Sequence, residues 1–358
     1  MIVDVTGFGW SGAGALEDML REYDDLRFLA VDWKKHDWEF TILWEADGIY
    51  DLEHKLCFKH CRCGDSSTAI KRFLRLVDAQ NRTPFLHYDE QFNGKYYQIC
   101  KRYIDDLVQF RFKGRTFEEI MFPDLKERIL SRYNHIIKLL LGNHYIKNLF
   151  HCDLSTFLTH PNMNTIAVSY NPDHFLERTQ QFMDELLSFS RSDRSYPLVT
   201  DQLFPPDCPK LFFKYVNEPI KCMIVRRDPR DMYLLAKQTY HSEIPIPVEN
   251  VDDFILYYKQ IIQDTKLQDD DSVLSINYED IIYQYEQTKK KVEAFVGIKN
   301  HARKFEFFSP QQSINNTQLF NLYDDYKDDI KKIESMLPES LYPFYLYKTL
   351  GKDRKKIF

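Results

Sequence analysis

Two short stretches carry the residue types that anion chemistry needs. The first is Gly7-Phe-Gly-Trp-Ser-Gly-Ala-Gly14. Glycines there let the backbone take positive φ and crowd close to a ligand, while amides at the start of a following helix point at an anion. By position and composition this is a phosphate cradle, and three readings of it compete. As the P-loop of a nucleotide triphosphatase, Gly7 and Gly12 have the right spacing, but Ala13 and Gly14 stand where Lys and Ser or Thr belong. As a dinucleotide fingerprint, Gly7, Gly9 and Gly12 satisfy G-x-G-x-x-G, and Asp32 follows about 20 residues later, where a ribose-binding acid belongs. The third reading is a tight turn with no ligand. The second stretch, Arg226-Arg-Asp-Pro-Arg-Asp231, follows the apolar run 220–225 directly. Guanidiniums at a strand end, with Pro229 starting a helix, would hold a dianionic phosphate by bidentate hydrogen bonds. A dehydrogenase does not need them. The bland counterpart is a solvated charge run in which Arg and Asp neutralise one another.

Elements must position these stretches. Residues 2–6 form a β-branched run of period-2 character, 15–23 have helical spacing at Leu16, Met19, Leu20 and Tyr23, and 27–31 are apolar again. Strand, turn, helix, strand follows. Further on, 220–225 predicts a strand, 231–238 a helix, 273–276 a strand, and 280–295 a helix closing at Gly297. Residues 66–80, 116–147, 173–190 and 323–337 read as further helices. Short apolar strands alternating with helices predict an α/β fold, a three-layer sandwich around a central, mainly parallel sheet. Ligands of such sheets lie beyond the carboxyl ends of the strands, where both stretches fall. With no internal repeat or low-complexity linker, residues 1–358 read as one domain with helical insertions over about 45–190.

In this order along the chain, the residues resemble the sulfotransferases that use 3′-phosphoadenosine 5′-phosphosulfate (PAPS), the carbohydrate and bacterial type in particular. The loop Gly7 to Gly14 looks like the family's 5′-phosphosulfate loop, Val225-Arg-Arg-Asp-Pro-Arg-Asp231 like its 3′-phosphate motif, and Asn277-Tyr-Glu-Asp-Ile281 like its Tyr-Glu-Asp-Leu segment. The resemblance implies a P-loop NTPase-like fold, PAPS as donor, adenosine 3′,5′-bisphosphate as product and no metal. It assigns the donor to Gly9, Trp10, Ser11, Gly12, Ala13 and Gly14 of the loop, to Arg227 with Arg226 or Arg230, and to Tyr278 near the adenine. It makes Glu39 the general base, with His36 as second choice, and puts the acceptor, a hydroxyl of a glycan or glycan precursor, on the helical insertions. The chain departs from the family at four places. Trp10 replaces the loop Lys, Ala13 and Gly14 replace hydroxyl residues, and Leu235 replaces the Ser eight residues after Arg227. The leaving-oxygen cation must then come from elsewhere, and Lys34 or Lys35 is nearest in sequence. The rivals are a dinucleotide-binding oxidoreductase built on Gly7, Gly9, Gly12 and Asp32, and a non-catalytic nucleotide-binding relative that lost the Lys and Ser.

Composition narrows the classes. Lys plus Arg is 48 against 54 for Asp plus Glu, so the net charge is −6 and duplex nucleic-acid binding through a broad basic face has no support. With 27 Phe, 23 Tyr and a hydrophobic share of 44%, the chain is globular. No window approaches the roughly 18 apolar residues of a membrane span, and the odd count of seven Cys suits the cytoplasm better than a disulfide framework. Cys57, His60, Cys61 and Cys63 suggest zinc, but no second pair sits at finger spacing. Asp201 and Gln202, after the apolar 196–199, mark another strand end. Trp33, Trp38, Trp44, Tyr96 and Tyr97 suit sugar faces as well as a core.

Overall fold

The computed structural model describes residues 1–358 apart from 30–38, 59–61, 63, 83–87, most of 123–163, 192, 240–245, 264–268 and 352–358. Its strands, in chain order, are β1 (Ile2–Gly7), β2 (Arg27–Phe28), β3 (Phe110–Gly114), β4 (Asn164–Val168), β5 (Leu198–Asp201), β6 (Ile220–Arg226) and β7 (Val273–Asn277). The chain divides into two compact units, Met1–Glu45 with Thr83–Gly94 and Met183–Phe358, and Ala46–Arg82 with Lys95–Phe182.

The first unit is α/β. Its sheet has five parallel strands in the order β2-β5-β1-β6-β7, flanked by helices. Central strands of such a sheet are covered on both faces, which is why β1 reads as a nearly continuous apolar run and is buried at every position. Asp4 is the exception in that run. Its carboxylate accepts from Thr200 Oγ1 (2.8 Å) and from the amides of Leu203 and Phe204 (2.9 and 3.1 Å), tying the turn after β5 to β1.

Helix α1 (Ala13–Leu20) buries Leu16, Met19 and Leu20, the i, i+3, i+4 stripe its sequence shows. Those side chains share one core with Val3, Val5, Met223, Val225, Ile276 and Tyr278. After β6, Pro229 opens the helix Pro229–Thr239, where its missing N–H costs nothing. The helix expected over 280–295 is two, Tyr278–Tyr283 and Tyr285–Val296, and ends at Gly297 with φ 82°. The one expected over 323–337 is a short turn, Asp324–Tyr326, followed by Lys327–Met336.

The second unit carries helices Ile49–Cys57, Asp65–Arg82 and Tyr96–Leu107 and an antiparallel ladder of β3 with β4. Sequence reading misses this ladder because β3, Phe-Arg-Phe-Lys-Gly, is exposed along most of its length and offers no apolar run. Of the helix expected over 116–147, Phe117–Met121 forms behind a capping box of Thr116 and Glu119, and most of the rest lies outside the described residues. Among the described residues, no helix is long and apolar enough to cross a membrane.

Candidate functional site

Parallel pairing sets Gly7 of β1 opposite Val225 of β6, so the glycine loop and the arginine corner leave adjacent strand ends. Arg227 joins them. Its Nη1 donates to the Trp10 carbonyl (3.3 Å), its Nη2 donates to the Asn316 carbonyl, and its guanidinium lies 4.5 Å over the Tyr278 ring. Tyr278 starts the helix after β7, and its ring fills the space beside Gly12, where a Cβ would stand 2.5 Å from it. Gly12 takes φ 85°, a left-handed conformation that suits glycine. Three strand ends therefore meet in one corner, and Ser11, Arg227 and Tyr278 are 2%, 4% and 3% exposed.

The corner holds buried polar atoms without hydrogen-bond partners. They include Ser11 Oγ, Arg227 Nε and Glu279 Oε2. The Ser11 hydroxyl lies against the Gly7 Cα, so close that a Cβ on Gly7 would stand 2.1 Å from it. Beyond it, α1 begins, and the first amides of a helix have no intrahelical acceptor. Gly14, in that first turn, has nothing within 4 Å of a Cβ.

Charges behind the corner are paired. Arg230 donates from Nε and Nη2 to the two oxygens of Asp228 (3.0 and 2.8 Å) and from Nη1 to Glu334 (2.9 Å), with its guanidinium 4.2 Å over Phe320. This placement makes Arg230 a brace for Asp228, with few donors left for a ligand. Asp231 accepts from the amides of Gln318 and Leu319 (2.7 and 2.6 Å), holding the turn that presents Asn316 to Arg227. Burial, and then the Asp228 charge, push Glu279 up to about 8. Its Oε1 accepts from the Asp228 amide (2.9 Å), which leaves Oε2 to carry the proton. Arg226, Asp228, Tyr258, Asn277, Glu279 and Tyr342 help line a cavity of about 400 Å³ beyond the ends of β6 and β7, a wall to which the loop 7–14 contributes no lining residue.

At the other edge, Gln202 takes φ 56°, accepts from Thr6 Oγ1 (2.8 Å) and donates to the Gly7 carbonyl (3.2 Å). The strand-end reading of Gln202 thus has a place in the structure, bracing the loop rather than open to a ligand. Glu39 lies at the same end of the sheet, because the next amide, Phe40 N, donates to the Asp201 carbonyl (2.8 Å) and the Tyr88 hydroxyl donates to Glu39 O. Lys35 and His36, with Asp32 and Lys34, lie outside the described residues, as do His60, Cys61 and Cys63. Among the described residues, no group of three His, Cys, Asp or Glu side chains is placed to hold a metal ion.

The structure thus brings together Gly9, Trp10, Ser11, Gly12, Ala13 and Gly14 of the loop with Arg227 and Tyr278, and gives Arg230 to Asp228. Sequence reading misses the Asn316 carbonyl, since a backbone acceptor has no residue signature, and Ile246, whose side chain lies 3.0 Å from where a Gly9 Cβ would be. Compared with known proteins, the chain matches no family model and no curated protein.

Proposed function

We propose that this chain is a PAPS-dependent sulfotransferase with a P-loop NTPase-like, three-layer fold, acting on a hydroxyl of a glycan or glycan precursor. The observation that carries the reading is the Arg227–Trp10 hydrogen bond, which ties the two sequence stretches able to hold a doubly phosphorylated adenosine. The residue types present suit such an anion: helix-start amides and a buried hydroxyl on the loop, and on the adjoining strand end a guanidinium with an unpartnered Nε. Strand order weighs against the dinucleotide rival. In that fold the second strand, whose end carries the ribose-binding acid, neighbours the first. Here β5 stands between β1 and β2.

The donor supplies the sulfuryl group. The acceptor oxygen forms a bond to sulfur as the bond from sulfur to the phosphate oxygen breaks, the electron pair leaving with the phosphate. Glu39 is assigned the acceptor's proton and Lys35 the developing charge on the leaving oxygen, with His36 the alternative base. A general base of this kind contributes about 10²–10⁴-fold.

A second reading, a nucleotide-binding relative without catalysis, is favoured by Trp10 and Gly14 at positions that carry Lys and a hydroxyl in the family. Thermal-shift titration with adenosine 3′,5′-bisphosphate and with NAD, followed by sulfate transfer from labelled PAPS to a glycan panel, separates the three. Stabilisation by the bisphosphate together with transfer supports the enzyme. Stabilisation without transfer supports the relative, and stabilisation by NAD alone rejects both.

A further inference from the structure

We infer that the turn 314–319 is a latch that closes the arginine corner and is released by an entering anion. The inference rests on the reading above that this corner holds a phosphate. Arg227 has the geometry to grip a phosphate through paired donors, yet its two terminal nitrogens are turned to main-chain carbonyls, Trp10 O on one side and Asn316 O on the other. Neutral carbonyls are the weaker partners. A hydrogen bond to an ionised acceptor is about twice as strong as a neutral one, so an entering phosphate outcompetes both carbonyls for the same guanidinium.

The closed corner is also left incomplete. Ser11 Oγ and Arg227 Nε are buried donors with no hydrogen-bond partner, and Glu279 Oε2 is likewise unmet. What holds the latch shut is a set of contacts to the turn that do not involve Arg227. Asp231 receives the Gln318 and Leu319 amides, the Tyr283 hydroxyl meets Thr317 Oγ1 at 2.6 Å, and Gln318 Nε2 donates to that same hydroxyl at 3.0 Å. Gln318 itself sits at φ 51°, a conformation that a non-glycine residue holds only when its surroundings impose it. The apparent affinity for the anion is then the intrinsic affinity scaled by the fraction of molecules in which the turn has let go.

Tyr283→Phe tests this without altering a charge or touching the anion site. It deletes the hydroxyl that Thr317 and Gln318 share and keeps the ring stacked 6.2 Å from Tyr342. The latch predicts that Tyr283→Phe binds adenosine 3′,5′-bisphosphate more tightly than the parent, by about tenfold or more for the loss of the two hydrogen bonds this hydroxyl makes to the turn. It also predicts that saturating bisphosphate speeds amide hydrogen exchange at Gln318 and Leu319 in the parent chain. Binding with unchanged or slower exchange there, or with equal or weaker affinity in Tyr283→Phe, overturns the latch and leaves the phosphate reading standing. No binding by either protein, measured calorimetrically, removes the phosphate reading and the latch with it.

Discussion

Gly12 and Gly14 lie two residues apart in one loop, and the structure gives them opposite tolerances. At Gly12 an alanine Cβ would stand 2.5, 2.9 and 3.1 Å from three atoms of the Tyr278 ring. The ring cannot easily retreat, because Arg227 lies 4.5 Å from its centroid and the Tyr278 hydroxyl donates to Ser313 O at 3.4 Å. Overpacking of this kind costs about 1–3 kcal/mol. Gly12 also sits at φ 85°, which adds about 1–2 kcal/mol for an L side chain. Gly12→Ala is therefore expected to lose about 2–5 kcal/mol. A Cβ on Gly14 meets nothing within 4 Å, and the residue is already helical, so Gly14→Ala gains up to about 1 kcal/mol through a less flexible unfolded chain. Urea unfolding of both variants, read as a change in midpoint at constant slope, measures the two values. Equal destabilisation by both substitutions, or no loss at Gly12, would refute the placement of Tyr278 against the loop.

Two further substitutions test the site itself. Arg227→Lys keeps the charge and loses the planar fork, so adenosine 3′,5′-bisphosphate binding should weaken by about 1.5–3 kcal/mol, and unchanged calorimetric affinity would remove Arg227 from the donor site. Glu39→Gln should leave bisphosphate affinity intact and lower turnover about 10²–10⁴-fold, whereas parallel loss of both would make Glu39 a structural residue.

The strands and first helix of the first unit were legible because burial on both faces of a parallel sheet leaves continuous apolar runs, as in β1 and β6, and one-sided burial leaves the Leu16, Met19, Leu20 stripe of α1. The meeting of the Gly7 loop with Arg227 was legible only as a hypothesis, since nothing local says which strands are neighbours. The pairing of β1 with β6 decides it. What sequence reading could not reach is how the arginines are used. Arg226, Arg227 and Arg230 look interchangeable in a short basic run. Only three positions along the chain separate the Arg230 that braces Asp228 from the Arg227 that faces the loop, and long-range contacts, to Glu334 in one case and Asn316 in the other, make the distinction. The β3–β4 ladder escaped for the opposite reason, because exposed strands carry no burial pattern to read.

The charge balance of the corner makes its anion affinity depend on pH in a direction opposite to the ligand's own chemistry. Arg227 and Arg230 face Asp228, Asp231 and Glu279, all buried. Burial and the Asp228 charge push Asp231 up, but both of its oxygens accept backbone amides, which favours the carboxylate. Glu279 differs: one oxygen accepts the Asp228 amide, the other has no partner, and its proton stays until about pH 8. Ionisation of Glu279 therefore adds one negative charge to the corner above about pH 8. At an effective dielectric of about 20, a unit charge anywhere from about 4 to about 10 Å from an anion costs about 4 to 1.7 kcal/mol, more than tenfold in affinity. A phosphomonoester completes its ionisation near pH 6, so its own titration strengthens binding on the way to neutrality and adds nothing above pH 7. Bisphosphate affinity should therefore fall between pH 7 and pH 9 by about an order of magnitude, and Glu279→Gln, which fixes the uncharged state, should hold it level. The same retained proton makes folding less favourable as pH rises from about 4.5 to about 8, because the unfolded carboxyl releases its proton first. Calorimetric titrations of the parent and Glu279→Gln at both pH values decide the matter, and a parallel fall in the two proteins would place the titrating group outside Glu279.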